Sequence, residues 1–174
     1  RILAIADRPP KTPIRETLEK EKIDLIVTLG DLDLIQIREL AGIQHIPKFG
    51  VYGNHCSGNY FGDLGIVNMH LHTAEHQGIR FGGFEGCVRY KESSWAKMYT
   101  QEEATELLRT FPPVDVLLTH SPPIGINDDP EDQAHVGMRF PQASEEGLNV
   151  SHKPCSPPMP SRRRWPVCPR LDAE

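Results

Sequence analysis

Asp7, Asp31, Asn54, His55 and His120 stand just past short apolar runs and have the types and spacing for metal chemistry. Asp7 closes Ile2-Leu3-Ala4-Ile5-Ala6, Asp31 follows Leu29-Gly30, Gly53-Asn54-His55 follows Val51-Tyr52, and His120 ends Leu117-Leu118-Thr119. Strands of a parallel sheet bring ligands to a common carboxyl-terminal edge in this way. Asp7, Asp31, Asn54 and His120 offer hard oxygen donors with one imidazole, a set suited to one or two ions of Mn²⁺, Fe, Zn²⁺ or Mg²⁺. If two ions bind, Asp31 is placed to bridge them at about 3.5–4 Å, the separation at which a metal pair clamps an in-line phosphoryl displacement. The expected chemistry is phosphoester hydrolysis by a metal-bound hydroxide, with His55 protonating the leaving alkoxide.

Positioning these residues calls for a βαβαβ order. The pattern predicts strands over residues 2–6, 24–29 and 47–52, with helices over 13–22 and 32–40 between them. Right-handed crossovers make such strands parallel neighbours, so Asp7, Asp31 and Asn54 emerge along one edge. Another strand is expected at Ile79 to Phe84, within a hairpin-rich stretch from 68 to 90. Thr100 with Glu103 predicts a capping box for a helix to about Arg109, and residues 114–119 predict a buried strand stopped by Pro122-Pro123. Asp31 taken alone also reads as the N-cap of the following helix. His70 and His72 read as sharing one strand face, solvent-facing more readily than metal-binding. Asp132 with His135 reads as a helix start or a supporting pair. Cys56 reads as a bystander thiol.

A chain of 174 residues, 38% hydrophobic and with net charge −5, can bury one core. No apolar run approaches the roughly 20 residues of a membrane span, and the first residues lack a signal-peptide plan. Four cysteines without C-x-x-C spacing favour a reducing cytoplasm. The acidic balance disfavours a broad nucleic-acid face, leaving a small phosphoester or nucleotide as the expected partner, without a membrane. The domain expected from this pattern covers residues 1–137. Residues 138–174, with Pro141, Pro154, Pro157, Pro158, Pro160, Pro166, Pro169 and Arg162-Arg163-Arg164, read as an irregular or disordered tail.

The motifs as a set resemble the calcineurin-like metallophosphoesterases, whose pattern runs D-x-H, G-D, G-N-H-D/E, H and G-H-x-H. Asp7, Gly30-Asp31, Gly53-Asn54-His55 and Thr119-His120 match it in order, and Gly83-Phe84-Glu85-Gly86-Cys87-Val88-Arg89-Tyr90 and His120-Ser121-Pro122-Pro123 look like one small single-domain branch. The resemblance implies a four-layer α/β/β/α sandwich with a dinuclear site and activity on phosphomonoesters or phosphodiesters. Pro9 stands where the family has the His of D-x-H, Cys56 replaces the acidic residue after G-N-H, and G-H-x-H is absent. The alternative expectation is therefore a catalytically impaired relative that binds phosphate or nucleotide without the full metal site.

Overall fold

The first half of the chain alternates strands with short helices, as its apolar spacing predicts. Strands β1 (Ile2–Ile5), β2 (Leu25–Leu29), β3 (Lys48–Val51) and β4 (Val67–Asn68) form one parallel sheet in that order. Helix α1 (Ile14–Lys20) links β1 to β2, α2 (Leu34–Ile37) and a 3₁₀ turn (Arg38–Gly42) link β2 to β3, and α3 (Phe61–Leu64) precedes β4. The first backbone amides of α1 find an acceptor outside the helix. Glu39 takes the Ile14 N–H at 3.0 Å and the Arg15 N–H at 3.3 Å, placing a carboxylate at the positive end of the helix. A computed structural model of the chain describes residues 1–56, 58–140 and 148–151.

The second half builds another sheet. Strands β5 (Thr73–His76) and β6 (Ile79–Phe84) form an antiparallel hairpin, and β7 (Cys87–Val88) pairs in parallel with β8 (Met98–Tyr99). Helix α4 (Gln101–Leu108) then leads to β9 (Val116–Thr119), which lies parallel to β6 on one side and to β10 (Leu148–Ser151) on the other. The sheet order is β10-β9-β6-β5. Thr100 and Glu103 cap α4 as their spacing predicts: Thr100 Oγ1 accepts the Glu103 N–H at 3.1 Å, and Glu103 Oε2 accepts the Thr100 N–H at 2.8 Å.

Burial explains why the β2 sequence is apolar without alternation: it is covered on both faces. Leu25, Val27 and Leu29 pack with Phe49 and Val51 against Phe81, Val116 and Leu118 of the second sheet. Ile26, on the other face, packs with Ile14, Ile37, Leu40 and Leu64 from the helical segments. A third cluster joins Phe84 to Ala104 and Leu108 of α4, with Phe111, Met138 and Phe140. The protein is an α/β fold, and no helix among the described residues is long and apolar enough to cross a membrane.

Several details differ from the sequence reading. Leu32 and Asp33 stay outside the helix expected over 32–40, which is divided between α2 and the 3₁₀ turn. Strand β1 buries only Ile5 fully, because it is an edge of its sheet. His70 and His72 are separated by Leu71 in a left-handed conformation (φ 52°), so they do not share a strand face. The stretch read as an irregular tail contributes β10, while Met138 and Phe140 are buried. Leu148-Asn149-Val150-Ser151 alternates apolar and polar residues between Pro141 and Pro154, a period-2 signal of four residues that suits the edge of β9. Residues 152–174, including Arg162 to Arg164, lie outside the described residues.

Candidate metal centre

Parallel pairing sets the ends of β1, β2 and β3 side by side, with Ile5 opposite Thr28 and Leu29 opposite Val51. Just past those ends, Asp7 (φ 56°) and Asp31 (φ 53°) both adopt the left-handed conformation. Such a backbone is uncommon outside glycine, although Asp tolerates it better than most residues. Each such residue costs of order 1 kcal/mol, and strain of this kind concentrates where side chains must be aimed. The Asp7 N–H donates to the Gly30 carbonyl at 3.0 Å, tying the two strand ends together.

Two glycines allow the ends to come so close. A Cβ on Gly53 would lie 2.1 Å from Asp31 Oδ1 and 2.5 Å from Asp31 N. One on Gly30 (φ 94°) would lie 2.6 Å from both Gly53 N and His120 Nδ1. The G-D and G-N-H glycines are thus set by close approach as well as by turn geometry.

His120 arrives from the second sheet and crosses to the first. Its ring, 1% exposed, places Nδ1 2.9 Å from the Leu29 carbonyl at the end of β2. A carbonyl only accepts, so Nδ1 carries a proton there and Nε2 is the nitrogen turned to the site. That nitrogen faces Asn54 Oδ1 at 3.1 Å and Asp31 Oδ2 at 3.5 Å. Ligand atoms of Asp7, Asp31 and His120 all lie within 4.8 Å of one another. Asn54, 4% exposed, turns its Nδ2 toward the Tyr90 hydroxyl at 3.5 Å and thereby its Oδ1 toward the imidazole. With Nε2 unprotonated, acceptor atoms of Asp7, Asp31, Asn54 and His120 face one another across the site. A cation shared among them relieves that repulsion, so the donor set fits a hard divalent ion.

No protein-family model matches the sequence, and no curated protein matches it significantly.

Asp7, Asp31, Asn54 and His120, anticipated from strand ends, are all brought together. His55 is beside them: its backbone N–H donates to Asp31 Oδ1 at 2.8 Å, and the residue is exposed. The helix-capping role belongs to Asp33 and not to Asp31: the Asp33 N–H is taken by Gln36 Oε1 at 3.0 Å. Cys56 is buried, and its Sγ accepts the Gly53 N–H at 3.2 Å and the Tyr60 hydroxyl at 3.4 Å, so it supports the turn beneath Asn54. His135 pairs with Asp132, both about half exposed, apart from this cluster. His70 packs against Phe84 and Tyr99 and takes the Glu85 N–H on Nδ1 at 3.2 Å. Burial pushes its pKa below the ordinary imidazole value. Sequence reasoning assigned Tyr90 no role; its contact with Asn54 spans 36 positions, and no local pattern reports it.

Proposed function

We propose that the protein is a metal-dependent phosphoesterase of the calcineurin-like kind, hydrolysing a phosphodiester or phosphomonoester of a small molecule or nucleotide. The observation that carries this reading is the convergence of Asp7, Asp31 and His120 ligand atoms within 4.8 Å, with Asn54 Oδ1 3.1 Å from His120 Nε2. Asp7, Asp31, Asn54 and His120 hold the ion, and Mn²⁺ is the first choice among Mn²⁺, Fe, Zn²⁺ and Mg²⁺ for so oxygen-rich a set. A bound divalent ion supplies Lewis-acid polarisation of the phosphoryl oxygen and acidifies a water.

The chain's own residues do the rest. Leu29 fixes the His120 tautomer so that the imidazole presents a lone pair to the site. Asp31 takes the His55 backbone N–H, which keeps this exposed residue next to the ligands, and its imidazole is the group to protonate the leaving alkoxide. The three core clusters, one on each side of the first sheet and one beneath α4, support a four-layer α/β/β/α sandwich as the architecture. A cytoplasmic location belongs to the same reading, supported by four cysteines without C-x-x-C spacing, of which Cys56 is buried.

A second reading, phosphate or nucleotide binding without turnover, is favoured by Pro9 where the related pattern has a histidine. One assay separates the two: hydrolysis of a chromogenic phosphodiester with added Mn²⁺, for wild type and Asp31→Asn. Metal-dependent turnover lost in the variant supports the enzyme. Phosphate binding with no turnover in the wild type supports the second reading and ends the first.

A further inference from the structure

The loop that follows β6 crosses back over the end of β3, and Tyr90 is its last residue to be fixed by other elements. Gly86 begins the crossing at φ 72°, and its N–H donates to the Tyr52 carbonyl at 2.8 Å. A Cβ there would lie 2.1 Å from the Lys97 carbonyl, so the approach depends on glycine. The loop is then held against β8: the Cys87 N–H donates to the Lys97 carbonyl at 3.1 Å and the Arg89 N–H to the Tyr99 carbonyl at 2.9 Å. The Arg89 guanidinium adds a bond to the Met98 carbonyl at 3.2 Å and an ion pair with Glu103 at 2.8 Å. Tyr90 follows directly, half-buried, with the Lys91 ammonium 5.1 Å from its ring centroid.

Asn54 and Tyr90 are thus both referenced to the Tyr52-Gly53 backbone, one through the chain and one through Gly86. The Tyr90 hydroxyl accepts from Asn54 Nδ2 at 3.5 Å, and it is the partner found for that amide nitrogen among the described hydrogen bonds. An amide has one coordinating face. Oxygen turned inward is a ligand, whereas nitrogen turned inward would donate to His120 Nε2 and close the site to a cation.

We infer that Tyr90 is a positioning residue for the metal centre: by accepting from Asn54 Nδ2 it holds Asn54 Oδ1 toward His120 and selects the cation-binding sense of the amide. This deepens the phosphoesterase reading and rests on its metal site. Groups that orient a metal ligand typically change metal affinity by about 10–100-fold when removed.

The test is the affinity of the full chain for Mn²⁺, measured by calorimetry after chelator treatment, for wild type, Tyr90→Phe, Asn54→Ala and the double variant. Phenylalanine keeps the ring and removes only the hydroxyl. The expected result is an affinity about tenfold weaker for Tyr90→Phe. In the Asn54→Ala background the same change has little further effect, because the hydroxyl acts through the amide. Unchanged affinity in Tyr90→Phe, or an equal loss in both backgrounds, overturns the positioning role. A wild type that binds no Mn²⁺ overturns the metal site itself, and the inference with it.

Discussion

His120 donates its Nδ1–H to the Leu29 carbonyl at 2.9 Å, a bond between residues 91 positions apart that joins the second sheet to the first. It determines which nitrogen faces the other ligands, and it satisfies a carbonyl at the end of a fully buried strand. His120→Ala therefore removes a ligand and orphans a buried acceptor. We expect a loss of about 1–3 kcal/mol in urea unfolding from the orphaned carbonyl, together with loss of Mn²⁺ binding. A variant as stable as the wild type would show that the bond contributes nothing to the fold.

Gly53 is predicted to tolerate no side chain. A methyl group there would meet Asp31 Oδ1 at 2.1 Å and Asp31 N at 2.5 Å, and backbone cannot be displaced as cheaply as a flexible side-chain tip. Gly53→Ala should cost about 1–3 kcal/mol and weaken Mn²⁺ binding, since the strand ends must separate. Gly58, where an added Cβ meets nothing within 4 Å, is the comparison for binding, although its φ of 82° makes alanine strained there too.

His55 separates catalysis from ligation. Alanine keeps the backbone N–H that Asp31 Oδ1 accepts at 2.8 Å and removes the imidazole. His55→Ala should bind Mn²⁺ like the wild type while its kcat falls by about 10²-fold or more, the usual contribution of a general acid. The deficit should shrink for substrates whose leaving group is already a weak base. Equal turnover of poor and good leaving groups by wild type and variant would remove His55 from the proton transfer.

His70 should make stability depend on pH. Burial lowers its pKa below the ordinary 6.5, the nearby Glu85 carboxylate opposes that shift, and Lys97 adds to it. Tyr99, whose own pKa is pushed up, packs on the same ring and donates its hydroxyl to Glu85 Oε1 at 3.0 Å. The unfolded chain binds a proton here more readily than the folded one, so the stabilising contribution is complete above about pH 6.5 and is lost as pH falls toward the folded value. Between pH 7 and 5 the melting temperature of the wild type should fall more steeply than that of His70→Asn. Parallel curves would contradict this assignment.

Strand-end chemistry was readable in the sequence because each of β1, β2, β3 and β9 is a short apolar run with a polar stop, and parallel pairing converts that pattern into one edge. The α4 cap was readable for a similar reason, since Thr100 and Glu103 satisfy each other locally. What the sequence concealed is nonlocal. The Asn54 to Tyr90 contact depends on how Gly86 meets Tyr52, and β10 is recognised by its pairing with the edge of β9. The left-handed turns at Asp7 and Asp31 likewise follow from tertiary fit, and the helix expected from residue 32 begins only at Leu34.

The most direct test of the central claim is equilibrium binding of Mn²⁺ to the full chain, with bound metal quantified by elemental analysis, for wild type and Asp31→Asn. Asn tolerates the left-handed backbone at this position and preserves the volume of the side chain. The expected result is one or two ions per wild-type chain and marked loss in the variant. An Asp31→Asn protein that retains wild-type stoichiometry and affinity, or a wild type that takes up none, would contradict it.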